Sequence, residues 1–449
     1  MSSVKKSDNS TATELKLPKS STNFFVNIFS CVIFFVLIRY FHVVSSGIQP
    51  VELYITIVLT VLPQIIFDLT VGREVIHKNY AVSVKPLRDF NPKRVIIKLV
   101  GLYATFGFLY FLYWLLPVYK EPFFEVYWFH LRNLMPVIML AAIPYVAYVD
   151  CGMQKPEDSY YHFGRLFLFD FKNTNRRYII EHIKSWIIKG FFLPLMFGYM
   201  LNNINYYNNY NTDKIEDFHA FFDYANNFIF TIDLLFAVIG YVFTLKIFNS
   251  QIYSTEPTAL GWIVCLIGYQ PFWGSLFYGK YFNYDDGYYW GHMLDGDVFW
   301  YTIWGSLILA LELLYSLATV AFGYRFSNLT YRGIITCGPY ALCKHPAYVF
   351  KNVSWWLISV PFMPNLGWEN ALKCSILLLL VNAIYYIRAR TEENHLSNYP
   401  EYVQYAEYMN EKSIFAWVGR LIPAMRYSKE RALASTSGKF CKEFTQRLD

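Results

Sequence analysis

Two clusters of polar residues in the C-terminal third have types and spacings suited to holding a charged small molecule. The first is Thr336-Cys337-Gly338-Pro339-Tyr340, followed by Lys344-His345-Pro346-Ala347-Tyr348. Gly-Pro marks a turn, and Pro346 suits the first position of a new helix. A helix start presents free N–H groups and a positive partial charge, so a carboxylate or phosphate is its natural guest. His345 adds a donor there. The second cluster is Arg388-Ala389-Arg390-Thr391-Glu392-Glu393. Arg388 and Glu392 are four apart and share one helix face. A carboxylate there can hold an ammonium or ribose hydroxyls, and an arginine can grip an acidic group bidentately. Singly, each of these residues is more often a helix-end anchor or an ion-pair member. Together they form a site suited to a zwitterionic cofactor.

The elements that must position these clusters are apolar. The chain has 449 residues, 55% of them hydrophobic, 20% aromatic and 16% charged. Soluble domains carry about 25% charged residues. Apolar blocks fall at about 23–43, 51–71, 95–118, 131–150, 185–203, 225–248, 258–278, 298–323, 349–363 and 370–388. Most reach the ~20 residues that a bilayer core requires. The reading is an all-α, polytopic transmembrane bundle of about ten spans with a cytosolic C-terminal cofactor pocket. The linker PFMPNLGWE makes the last two spans an antiparallel hairpin, which brings His345 and Arg388–Glu393 to one membrane face.

Charge placement sets the expected orientation. Lys5, Lys6, Lys16 and Lys19 lie in the N-terminal tail. Arg73, Lys78, Lys85, Arg88, Lys93 and Arg94 lie in the second loop, Lys155 to Lys184 in the fourth, and Arg325, Arg332 and Lys344 in the eighth. The fifth and seventh loops carry only Lys214 and Lys280. The positive-inside rule then puts both termini and the eighth loop in the cytosol, of a bacterial inner membrane or an endoplasmic reticulum. Residues 1–22 are polar and expected to be disordered. The seven cysteines form no CxxC or Cys/His cluster, so no metal site is expected. No P-loop, dinucleotide fingerprint or nucleic-acid reader is present. Asp233 and Glu312 fall inside spans and are either packing contacts or functional groups. Asp68 reads as interfacial.

The two clusters together resemble the isoprenylcysteine carboxyl methyltransferases and their relatives, the bacterial integral-membrane and phospholipid methyltransferases. Those proteins share Gly-x-Tyr, Arg-His-Pro-x-Tyr, a helical hairpin, then Arg-x-Arg-x-Glu-Glu, Leu and a Tyr-x-x-Tyr helix. This chain has Gly338-Pro339-Tyr340, Lys344-His345-Pro346-Ala347-Tyr348, Arg388 to Glu393, Leu396, and Tyr402 with Tyr405. The resemblance covers about the last 125 residues. It implies a cytosol-facing pocket for S-adenosyl-L-methionine and a lipid or lipidated acceptor in the bilayer. It implies that Arg325, Arg332, Gly333, Ile334, Ile335, Tyr340, His345, Pro346, Ala347 and Tyr348 line the pocket. Glu392 or Glu393 closes it, and Arg388 or Arg390 faces the acceptor, with Arg388 favoured. Lys344 replaces the usual arginine, and the usual Phe-Gly before the tyrosine helix is missing, with Pro400 nearby. The implied organisation is a tail (1–22), a membrane scaffold (23–297), a methyltransferase-like core (298–425) and a basic tail (426–449).

Two other readings stay open. Sterol-type reductases share a Gly-Pro-Tyr…His-Pro-x-Tyr element but use NADPH, and their closing segment is basic where this one is Thr391-Glu392-Glu393. A transporter would use Asp233 and Glu312, but the chain has no repeat. A topology reporter fused after Lys280 is expected to read out on the extracytosolic side; a cytosolic reading overturns the orientation.

Overall fold

The computed structural model describes residues 16–44, 49–72, 90–277 and 281–435. The basic residues Lys5, Lys6, Arg73, Lys78, Lys85, Arg88 and Lys280, which carry part of the orientation argument, lie outside these segments. So do Cys441, residues 1–15 of the N-terminal tail and residues 436–449 of the C-terminal one.

Among the described residues the fold is all-helical apart from one pair of two-residue strands. In order, the helices are α1 (Phe24–Val44), α2 (Pro50–Leu69), α3 (Pro92–Leu115), α4 (Glu125–Gly152), α5 (Ser159–Phe167), α6 (Arg176–Asn209), α7 (Phe218–Val242), α8 (Ala259–Leu266), α9 (Phe272–Phe277), α10 (Trp290–Met293), α11 (Val298–Phe322), α12 (Pro346–Ser359), α13 (Trp368–Leu396), α14 (Pro400–Lys412), α15 (Ala416–Leu421) and α16 (Lys429–Ser435). Many starts follow from local chemistry. The Asn91, Asn175, Asp217, Thr258 and Asp297 side chains each accept a backbone N–H in the following first turn, satisfying donors that a helix leaves free.

Among the described residues, eight helices are long and apolar enough to cross a membrane: α1–α4, α6, α7, α11 and α13. The chain is an integral, multi-pass membrane protein. The other two predicted spans take a different form. Block 258–278 folds as α8 and α9, because Gly268 and Pro271 interrupt an apolar run that composition alone reads as continuous. Block 349–363 yields the 14-residue α12, which ends before Pro361. Both still run alongside full-length helices. Near one end of α12 the Tyr340 ring meets Phe322 at 5.3 Å; near the other, Trp304 donates to the Leu357 carbonyl at 2.9 Å. Segment 254–286 follows α13 in reverse, from the Ser254–His395 contact (2.7 Å) to the Asn370–Asp286 hydrogen bond (2.7 Å).

The core lies between α1, α2, α6 and α7, where Phe34, Leu53, Phe192 and Phe236 are fully buried. Helices α3 and α5 cross closely at two glycines. A Cβ on Gly164 would stand 1.9 Å from the Ile97 carbonyl oxygen, and one on Gly101 would stand 2.2 Å from that of Tyr160. The hairpin of α12 and α13 is keyed by Trp356 and Asn352, both bonded to Asn382 (2.7 and 2.6 Å).

The expected disorder of 1–22 does not hold for the described residues 16–22. Ser21 N–H donates to the Ile334 carbonyl (2.8 Å), the Thr336 hydroxyl donates to that of Pro18 (2.8 Å), and Thr22 donates to that of Ala321 (2.6 Å). A Ser/Thr-rich composition reads as disorder, yet here these hydroxyls and amides pair with a distant loop. Gly164→Ala is expected to lower the unfolding temperature in detergent, costing about 1–3 kcal/mol by overpacking. Gly107→Ala on α3, where an added methyl meets nothing, is the control and should be neutral or stabilising.

Candidate functional site

The loop after α11 is set by two buried arginines. Arg332 directs its guanidinium at four backbone carbonyls: Ser250 (2.8 Å), Gly240 (2.8 Å), Phe326 (2.8 Å) and Tyr324 (3.0 Å). Burial, and then the neighbouring Arg325 charge, pull its pKa below the usual arginine value. Arg325 pairs with Asp68 of α2 at 2.8 Å, and the Tyr324 hydroxyl donates to the same carboxylate. Asp68, at the end of α2, is therefore buried and paired within the protein. The antiparallel strands Ser254–Thr255 and Thr330–Tyr331 then fix segment 250–256 against segment 326–332.

Below this loop lies a cavity that combines both halves of the sequence pattern. Tyr340, His345, Ala347 and Tyr348 line it from the turn and α12, and Arg388, Thr391, Glu392 and His395 line it from α13. Tyr348 donates its hydroxyl to Glu392 at 2.8 Å. The His345 ring stacks on Tyr348 at 5.6 Å and 5°. Arg388 donates to the Asn328 side chain at 2.8 Å and lies over the rings of Tyr348, Tyr269 and Tyr385 at 5.0, 5.7 and 5.8 Å. Pro346 and Ala347 open α12; Pro346 has no N–H, and those of Tyr348 and Val349 donate to the His345 carbonyl (both 3.1 Å), which leaves the Ala347 N–H beside the cavity.

Other residues from the pattern have structural partners instead. Arg325 and Arg332 are committed to the contacts above, and neither lines the cavity. Gly333 has φ +110°, and a Cβ there would meet Ser21. Ile334 packs with Tyr402 and Tyr405, and Ile335 is buried. Pro346 is buried at the helix start. Glu393 is the hub of an ion-pair cluster with Lys344 (2.8 Å), Arg390 (2.6 Å) and His345 (3.4 Å). Of the two carboxylates, Glu392 faces the cavity; of the two arginines, Arg388 does. One 100° helix step separates the two carboxylates and two steps separate the two arginines, and only packing decides which of each turns inward. Pro400 is the first residue of α14, and Tyr405 donates to the Tyr340 carbonyl at 2.8 Å.

The cavity also draws on residues that the sequence pattern did not single out. Glu256, which no local signal marks, is buried beside α8, and burial followed by a smaller push from Glu392 raises its pKa. Tyr269, Cys265 and Asn328 line the middle. The deeper wall holds Asp233 from α7, Tyr315 and Thr319 from α11, and Lys351 from α12. Asp233 accepts from Tyr315 (2.8 Å) and from Thr319. Lys351 lies within an apolar block and carried the same intramembrane signal as Asp233. Glu312 is buried on α11 and does not line the cavity. The predicted boundary at 297/298 runs through this site, since α6, α7 and α8 all contribute walls. Among the described residues, no group of His, Cys, Asp and Glu is arranged to hold a metal.

The chain matches no protein-family profile, no curated protein and no solved structure. Arg332→Lys is expected to lower stability by about 2–4 kcal/mol, because one ammonium cannot reach four carbonyls and charged hydrogen bonds contribute about 1.5–3 kcal/mol each. Thermal unfolding in detergent measures this.

Proposed function

We propose that this chain is an integral membrane methyltransferase that uses S-adenosyl-L-methionine and acts on a lipid or lipidated acceptor. The observation that supports this is the convergence of His345, Tyr348, Arg388 and Glu392 on one cavity, although 40 positions separate Tyr348 from Arg388. The residues fit the cofactor. Glu392 and Glu256 offer carboxylates to a cationic group or ribose hydroxyls, Tyr340 and Tyr348 offer aromatic faces, and the first turn of α12 suits a carboxylate. Glu392 and Glu256 also disfavour a nucleotide phosphate at their end of the cavity, and so the NADPH reading.

When bound, the cofactor supplies a methyl group on a positively charged sulfur, open to in-line displacement by a nucleophile. The chain's own residues orient and enclose. Arg388, held by Asn328 and three tyrosine rings, faces the acceptor and fixes its reacting group. Such orientation supplies much of the rate in a displacement. A carboxylate acceptor would need no base.

The acceptor enters from the bilayer, toward the wall built by α6, α7 and α11. This gives the N-terminal half a role in shaping the acceptor site. We also infer ten passages across the membrane, counting the α8–α9 segment and α12, with the 323–345 loop and both termini cytosolic.

Calorimetric titration of the purified protein with S-adenosylhomocysteine, paired with NADPH, tests the reading. Micromolar binding of the first alone is expected; binding of NADPH alone overturns it, and binding of neither turns attention to transport through Asp233. Glu392→Ala and His345→Ala should each weaken S-adenosylhomocysteine binding by about tenfold or more at an unchanged unfolding temperature, the loss of roughly one charged hydrogen bond. Arg388→Ala should leave that binding intact and lower turnover about 100-fold.

A further inference from the structure

Two cations face the same cavity without an ion-pair partner. Arg388 on α13 and Lys351 on α12 both line it, and among the described residues neither pairs with a carboxylate. Each rests on aromatic faces instead: Arg388 over Tyr348 and Tyr269, Lys351 over Tyr315 and Trp355 at 5.1 and 5.2 Å. A cation–π contact offsets only part of the cost of removing a charge from water.

The lining carboxylates are already engaged. Asp233 accepts from Tyr315 and Thr319, Glu392 from Tyr348, and Glu256 from the Thr258 N–H at 2.9 Å. The neighbouring cations Lys344 and Arg390 behave differently: both close on Glu393. The hydroxyl and N–H donors on Asp233, Glu392 and Glu256 are neutral, and none of these carboxylates is within ion-pair distance of Arg388 or Lys351, so both cations stay open to a further anion in a cavity between helices long and apolar enough to sit in a bilayer.

We propose that Lys351 and Arg388 together bind the oxyanion of an acidic lipid, a carboxylate or phosphate headgroup, and that Lys351 is a specificity-determining residue for the acceptor. The two side chains play different parts. The Arg388 fork can grip two oxygens of the anion, whereas Lys351 is a point charge that tolerates either headgroup. Lys351 sits in the second turn of α12, farther from the His345 end, so it selects the acceptor and leaves the cofactor end untouched. This assignment rests on the methyltransferase reading for calling the lipid an acceptor, but the anion site itself stands on the geometry alone.

The test is lipid binding to the full-length protein in neutral detergent, with S-adenosylhomocysteine binding measured in parallel. Oleate and lysophosphatidate probe the two anions; methyl oleate and oleylamine are the neutral and cationic controls. Wild type should bind at least one anion about 30-fold more tightly than both controls, the lower bound of about 2 kcal/mol for a buried charge contact converted at 1.4 kcal/mol per tenfold. Lys351→Met should remove most of that preference, Lys351→Arg should restore it, and neither should alter S-adenosylhomocysteine affinity. Wild-type preference for methyl oleate or oleylamine overturns the proposal, as does undiminished anion preference in a folded Lys351→Met protein. Inorganic phosphate binding as tightly as lysophosphatidate overturns the lipid assignment. If Lys351→Met fails to fold, the wild-type comparison decides alone. Anion preference without S-adenosylhomocysteine binding keeps the site and removes the methyltransferase reading; the reverse result does the opposite.

Discussion

The buried guanidinium of Arg332 is the contact on which the rest of this site depends. It joins the C-terminal end of α7, the 249–250 loop and the turn after α11 through four carbonyls. Each of those carbonyls would otherwise be buried without a donor, and each unmet group costs about 1–3 kcal/mol. An arginine suits this position because its fork presents several rigid donors at once. Gly240 makes the arrangement possible: a Cβ there would lie 2.3 Å from the Phe326 carbonyl oxygen. Beside it, the Arg325–Asp68 pair ties the same turn to α2.

From that anchor the geometry propagates outward. The short strand pair holds Glu256 and Asn328 at the cavity, and the turn at Gly338–Ala341 aims α12 into the bundle. The N-terminal segment Pro18–Thr22 closes over the same loop from outside. The Glu393 cluster fixes the far end of α13 relative to the His345 turn. With Lys344, Arg390 and His345 all on one buried carboxylate, α13 is held against sliding or rotation, and Arg388 and Glu392 stay turned inward. Residues that never touch a ligand thus decide where the ligand-facing ones point.

The cavity itself grades from acidic near Glu256 and Glu392 to mixed charge near Arg388, Lys351 and Asp233. Aromatic rings separate these charges. They insulate the cations without neutralising them, which keeps Arg388 and Lys351 available to a ligand.

Membrane class, the existence of most helices and the two clusters of polar residues were legible in the amino-acid sequence. Long apolar blocks, Asx and Thr caps, and His345, Arg388 and Glu392 all carry local signals that need no partner to be read. The sequence alone could not choose between Glu392 and Glu393 or between Arg388 and Arg390, because adjacent helical residues differ only in which face packs inward. It also could not separate Arg325 and Arg332, which bind backbone and Asp68, from arginines that bind a ligand. Glu256, Lys351 and Asp233 join the site from α12 and from the half of the chain before residue 298. Only tertiary packing decides such long-range proximity, since a side chain's function here depends on which distant group satisfies its charge.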